Sequence, residues 1–145
     1  MKITIMLILL LMLTCAGFAQ TGTLNICENT DDNVFPINIY TNASVTTPVM
    51  FQIEFSESLY GNTERSQMFI LWEVFKVSEN GDETPVGDIQ MRTESGYKRY
   101  ATEQAFYFKE PGKYAVYAID YYKRDVYEKR GYKEYLGKTF IDIAN

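Results

Sequence analysis

The sequence contains no histidine and only two cysteines among 145 residues. The absence of histidine excludes Ser-His-Asp and Cys-His catalysis, histidine proton shuttles and histidine-ligated zinc. Cys15 lies in a segment that we expect to be removed, so Cys27 has no partner for a disulfide or a thiolate cluster. Any enzyme would therefore have to use carboxylates, Tyr, Lys or an oxygen-liganded metal. We expect no enzymatic activity, no metal and no cofactor, and we interpret Cys27 as a small buried apolar side chain.

Long apolar runs are also absent, except at the start of the chain. The stretch 3–13 is apolar apart from Thr4, follows Lys2, and leads to a small-residue exit that ends at Ala19. These are the three parts of a secretory signal peptide, and the run is too short for a membrane span of about 20 residues. We predict a signal peptide over 1–19 and one exported domain over 20–145, without a transmembrane segment, in the periplasm, on the cell surface or secreted. Because the residue before Cys15 is a threonine, the lipoprotein pattern matches poorly, and we expect no lipid anchor there.

Positive charge is scarce in the first half of the chain. The formal net charge is −5, with one basic and six acidic residues in 20–67 but six basic and three acidic residues in 121–138. An acidic body with one basic edge argues against nucleic acid as a partner. The acidic stretch 28–33 lacks the glycine and the terminal glutamate of an EF-hand loop, so we interpret it as a solvated turn and predict no metal site.

Helical periodicity is missing throughout. Short β-branched and aromatic segments alternate instead with Gly, Pro, Asn and Asp, which predicts an all-β sandwich or barrel. Asn80-Gly81 between two apolar runs predicts a hairpin, and Pro111-Gly112 predicts a tight corner. In 49–55, alternation predicts one dry face and one wet face that carries Gln52. The predicted strands are 24–27, 34–40, 49–55, 68–77, 86–91, 104–108, 113–122 and 138–143.

One of these corners carries a resemblance to a known fold. Residues 110–116, EPGKYAV, resemble the start of strand F in immunoglobulin-like domains, with Tyr114 at the position of the corner tyrosine. Trp72 is similarly placed to the core tryptophan of strand C, and 49–55 to strand B. Apolar residues such as Val116 stand where antibody domains keep their cysteines, as in disulfide-free bacterial and fibronectin-type domains. The resemblance implies a two-sheet antiparallel sandwich of about seven or eight strands, and no particular activity.

The strands around Trp72 and Tyr114 are apolar on both faces. If these two side chains point into the core, alternation places further apolar residues on the outer face of each strand. The two strands are neighbours in an immunoglobulin-like sheet, so the outer residues would form one patch, as contact sites do. Alternatively, the N-terminal segment or the connection after residue 121 covers this patch. The predicted binding residues are Phe69, Leu71, Phe75, Tyr117, Ile119 and Tyr121.

Tyrosine is concentrated in the second half of the chain. Ten of the twelve tyrosines lie between Tyr97 and Tyr135, and 121–135 interleaves them with Lys and Arg. Such a segment is either a recognition loop or a hairpin whose rings cover the edge of the sandwich. As a recognition loop, its binding residues would be Tyr122, Tyr127, Arg130, Tyr132 and Tyr135.

We therefore predict an exported, non-catalytic protein-interaction module, a subunit or accessory of an envelope or surface assembly, with a protein partner on the predicted patch. The alternative is a carbohydrate-binding module that uses the tyrosine-rich loop to bind a glycan. A small hydrolase with two carboxylates is a third possibility, but the spacing of Asp and Glu in the sequence selects no pair.

Overall fold

The structure is a computed structural model that describes residues 21–59, 68–120 and 135–145, so the predicted signal peptide lies outside the described residues. The β-branched and aromatic segments form strands, and the described residues contain nine of them and no helix. The strands are β1 (Thr23–Thr30), β2 (Pro36–Ile39), β3 (Asn42–Ser44), β4 (Met50–Glu54), β5 (Met68–Val77), β6 (Glu83–Thr93), β7 (Arg99–Ala101), β8 (Gly112–Asp120) and β9 (Gly137–Ala144).

The strands form two sheets. Sheet A has the order β2-β1-β4-β7, and sheet B has the order β3-β9-β8-β5-β6. Strands β5 and β8 are antiparallel neighbours with Trp72 opposite Ala118, which confirms the predicted adjacency of these two strands. The all-β, two-sheet prediction is confirmed with two differences. The described residues form nine strands where seven or eight were expected, and β3 pairs with β9 in parallel where all pairs were expected to be antiparallel.

The prediction of a strand at 104–108 is wrong. This segment makes a single bridge, between Phe106 and Val49, whereas the unpredicted strand β7 pairs with β4 from Gln52 to Glu54. Thr102, directly after β7, also donates its backbone N–H to the carbonyl of Phe51, so 99–102 occupies the part of β4 that 104–108 would need for a ladder. Segment 104–108 has the residue types of a strand, but strand propensity does not determine whether 104–108 or β7 pairs with β4.

The main core lies between the two sheets. Trp72 is fully buried, and its ring centroid lies 6.1 Å from that of Phe51 on the opposite sheet. Tyr114 and Val116 belong to the same cluster, so the predicted inner faces of β5 and β8 are confirmed. Each large side chain buried in this way stabilises the fold by about 1.5–3 kcal/mol.

Both predicted turns are present. The Tyr114 hydroxyl donates a 2.8 Å hydrogen bond to the carbonyl oxygen of Glu110, which is the tyrosine corner that the resemblance implied. In the hairpin between β5 and β6, Gly81 has a φ of 86°, and its N–H donates to the carbonyl of Ser78 at 3.0 Å. Glycine adopts this backbone conformation without steric cost, which explains the Asn-Gly signal.

The predicted wet face of β4 is not wet. Gln52 is 0% exposed, accepts a 2.8 Å hydrogen bond from the Asn25 amide, and donates one of 3.1 Å to the carbonyl of Val34. The β1–β2 connection therefore lies against the outer face of sheet A. The guanidinium of Arg99 also lies 3.5 Å from the centroid of the Phe35 ring. Alternation in β4 identified the two faces correctly but could not identify a covering segment from elsewhere in the chain.

Candidate binding surfaces

The outer face of sheet B carries a second apolar cluster, separate from the main core. Leu71, Ala115, Tyr117 and Ile119 are each at most 4% exposed. They come together because β5 and β8 are neighbours and their alternate residues point away from the main core. Three of the six predicted binding residues, Leu71, Tyr117 and Ile119, therefore lie side by side.

Burial limits what this face offers to a partner. Phe75 is half-buried and packs edge-to-face on Tyr117 with ring centroids 5.4 Å apart, and Phe69 is also half-buried. Tyr135 lies over the same face, its ring centroid 4.1 Å from that of Tyr117. Leu71, Tyr117 and Ile119 are buried, and Tyr121 lies outside the described residues. Phe69 and Phe75 are therefore the two predicted binding residues that the structure describes as partly accessible. Their role in binding stays a prediction.

A charged network borders this cluster. The Tyr117 hydroxyl donates to the Glu83 carboxylate at 2.6 Å, and the Lys138 ammonium donates to the same carboxylate at 2.9 Å. The ammonium also lies 4.4 Å from the centroid of the Tyr117 ring, within range of a cation–π interaction. Burial, with the Glu83 carboxylate as a second cause, raises the pKa of Tyr117 above its ordinary value. Burial and the neighbouring Tyr117 raise the pKa of Tyr135 to about 12, so both phenols stay neutral at physiological pH.

An open cleft of about 570 Å³ adjoins this network, within the size range of small-molecule sites. Of the five predicted binding residues of the tyrosine-rich loop, the structure describes Tyr135. The other four lie outside the described residues: Tyr122, Tyr127, Arg130 and Tyr132. The cleft is lined by Gly81, Asp82, Glu83, Tyr117, Tyr135 and Lys138.

Sequence analysis missed Glu83 and Lys138. Lys138 lies directly opposite Tyr117 in the β8–β9 ladder, and Glu83 begins β6, two strands away on the other side of Tyr117. Neither position carries a local motif. The register of three strands brings them together, and that register is not written in any one segment.

Among the described residues, an exposed apolar row belongs to sheet A. Strand β2 forms one edge of the sheet, and Phe35, Ile37 and Ile39 are 43%, 42% and 56% exposed. Sequence analysis predicted a strand here but did not identify its edge position. The spacing of these three apolar residues, two apart, was the available signal.

The segment that contains β2 is acidic, although Arg99 of β7 lies over its Phe35 ring and pairs with its Glu54 at 2.9 Å. Residues 21–59 contain no lysine or arginine and carry five acidic side chains. Within the β1–β2 connection, an Asp31 carboxylate oxygen accepts the backbone N–H groups of Asn33 and Phe35 at 2.9 and 2.8 Å. This is the geometry of the predicted turn. Across the described ranges, no group of three His, Cys, Asp or Glu side chains could hold a metal ion. The five acidic residues are Glu28, Asp31, Asp32, Glu54 and Glu57.

Cys27 lies on β1 and is fully buried, which confirms its interpretation as a small buried side chain. Burial raises the pKa of the Cys27 thiol to about 11, so the reactive thiolate is scarce at neutral pH. Among the described residues, no helix is long and apolar enough to cross a membrane.

No family model matches the chain, and no curated protein matches it. Among solved structures it is similar to an immunoglobulin-like protein from Pseudomonas aeruginosa, with 12% identity, a TM-score of 0.43, and coverage of 86% of this chain and 94% of the other. Strand β8 lies between β5 and β9, β1 lies beside β4 in the facing sheet, and Tyr114 forms the corner, so the chain is an immunoglobulin-like β-sandwich.

Proposed function

We propose that this chain is an exported, non-catalytic interaction module that binds a protein partner of the envelope or cell surface through the edge strand β2. The observation that carries the proposal is the row of Phe35, Ile37 and Ile39, which are 42–56% exposed on an open sheet edge. Edge strands are places where another chain can pair, and exposed apolar rows are typical of contact sites. The signal-peptide pattern of 1–19 supports export, and the absence of histidine supports a non-catalytic role.

Charge defines the chemistry of the partner. The apolar row is part of the segment 21–59, which carries five acidic side chains and no basic one. Glu54 is already paired with Arg99, whereas Glu28, Asp31 and Asp32 are exposed. A partner segment that is apolar and flanked by Lys or Arg would bury the row and neutralise these three carboxylates. Association would then be faster and tighter at low salt than at high salt.

The test is cross-linking and affinity capture from intact host cells with the mature chain tagged after Asn145. Wild type is compared with an Ile37→Ser/Ile39→Ser variant and with a matched Tyr97→Ser/Phe140→Ser control, whose apolar side chains are exposed elsewhere. Wild type and control should retain the same partner, and the β2 variant should lose it while its thermal unfolding stays unchanged. Equal recovery of that partner by all three chains would contradict the proposal.

Glycan binding is a second candidate, favoured by the cleft beside Tyr135. In this cleft the Tyr135 ring could stack on a sugar ring. Asp82 and Lys138 line the same cleft and could form hydrogen bonds with the hydroxyl groups of the sugar. We expect envelope oligosaccharides to change the intrinsic fluorescence of wild type and of Tyr135→Phe, which keeps the ring. The response should disappear in Tyr135→Leu. A flat response across the oligosaccharides in all three chains would count against this candidate.

A further inference from the structure

The four sheet edges of this sandwich differ greatly in length. Strands β2, β3 and β7 have four, three and three residues, whereas β6 has eleven. Natural sheets protect their edges by keeping edge strands short, because the outward N–H and C=O groups of a long edge can pair with another strand. Within the described part of the chain, β6 pairs with β5 on one side and with no strand on the other.

The sequence of β6 is complementary to itself around Gln90. On the inner face, Ile89 and Met91 lie opposite Trp72 and Ile70 of β5 and are half-buried against the core. On the outer face, Asp88 and Arg92 are exposed. In an antiparallel pair of two β6 strands centred on Gln90, Asp88 of each copy lies opposite Arg92 of the other. Ile89 of each copy likewise lies opposite Met91 of the other. Because the pair has two-fold symmetry, each of these contacts occurs twice.

We propose that two copies of this chain pair through β6 as antiparallel strands about a two-fold axis at Gln90. Two five-stranded sheets thereby become one continuous sheet. Charge selects the register, since centring the pair one residue earlier, on Ile89, would place Asp88 opposite Gln90 and Arg92 opposite Val86. Only the register at Gln90 pairs opposite charges on one face and apolar side chains on the other.

The surroundings of β6 support this second copy. An open cleft of about 490 Å³ runs between β6 and 104–110, and its walls include Val86 and Tyr107, which are 47% and 59% exposed. The Phe106 ring packs against the backbone of β6 at Gly87, where an added Cβ would lie 3.1 Å from the ring. Apolar surface therefore continues beside the open edge, where a second copy would cover part of it.

Charge reversal tests the register. Sedimentation of the mature wild-type chain over a range of concentrations should reveal a monomer–dimer equilibrium. Asp88→Arg alone and Arg92→Asp alone each place like charges opposite one another twice, which should raise the dimer dissociation constant roughly tenfold. The double reversal should restore wild-type association. Glu79→Arg, an exposed charge reversal in the hairpin, should leave association unchanged.

Cysteine cross-linking tests the axis in the same protein. Gln90→Cys faces its own counterpart across the axis, within the reach of a disulfide, and should give a covalent dimer under mild oxidation. Asp88→Cys is the matched control, because its counterpart lies four residues along the strand, about 13 Å away. A wild-type chain that stays monomeric at every concentration would overturn the proposal. Dimerisation insensitive to the charge reversals, or equal cross-linking of the two cysteine variants, would overturn it as well.

Discussion

The hydroxyl of Tyr117 donates a 2.6 Å hydrogen bond to the carboxylate of Glu83, two strands away across sheet B. Because Tyr117 is 2% exposed, its hydroxyl loses an acceptor in a buried place when Glu83 is truncated. We expect Glu83→Ala to lower the free energy of unfolding by about 1.5–3 kcal/mol in urea denaturation. Glu83→Gln keeps an acceptor oxygen and should cost less. Glu79→Ala, at an exposed site in the same hairpin, is the control and should change little.

The Tyr114 hydroxyl ties the start of β8 to the carbonyl of Glu110 at 2.8 Å. Tyr114→Phe removes this bond and keeps the ring in the core, so we expect a loss of about 1 kcal/mol, measured by urea denaturation. Tyr107→Phe is the matched control, because the Tyr107 side chain is largely exposed and should cost less than about 0.5 kcal/mol. Equal stability of the two variants would mean that the corner hydrogen bond contributes nothing measurable.

Gly137 is packed tightly against sheet A. A Cβ at this position would lie 2.8 Å from Cδ1 of Ile53 and 3.1 Å from the carbonyl oxygen of Gly22. We expect Gly137→Ala to destabilise the fold by about 1–3 kcal/mol through overpacking, as measured by thermal or urea unfolding. Ile53→Val removes the clashing Cδ1, so the double variant should lose less stability than the two single losses added together. Simple additivity would show that the Cδ1 contact is not the source of the strain.

Cys27 predicts a specific pH dependence. Its thiol has a pKa of about 11 in the folded chain against 9.0 without burial, so below pH 9 it is protonated in both states and stability does not depend on it. Between pH 9 and 11 the thiol ionises in the unfolded chain only, which stabilises the unfolded state. Wild type should therefore lose up to about 2.7 kcal/mol more than Cys27→Ala across this interval. Urea denaturation of both chains at either end of the interval measures the difference, and parallel pH profiles would contradict the assignment.

Local patterns determined much of the fold. The immunoglobulin-like resemblance assigned Trp72 and Tyr114 to the core, and alternation in β5 and β8 then assigned the other residues to a face, because neighbouring side chains of a strand point to opposite faces. Asn80-Gly81 and Pro111-Gly112 placed two turns, because their backbone preferences are properties of those residues themselves.

Tertiary structure decided which surfaces remain accessible. Leu71 and Gln52 lie on the outer faces of their sheets as alternation predicts, yet both are fully buried, because segments distant in sequence lie against these faces. The edge position of β2, the opening beside β6 and the meeting of Glu83 with Lys138 likewise follow from strand order and register. These depend on pairings between segments far apart in the chain, and no single segment encodes them. The sequence by itself thus determined the strand faces and turns, and the packing of distant segments determined the surfaces through which the protein can bind.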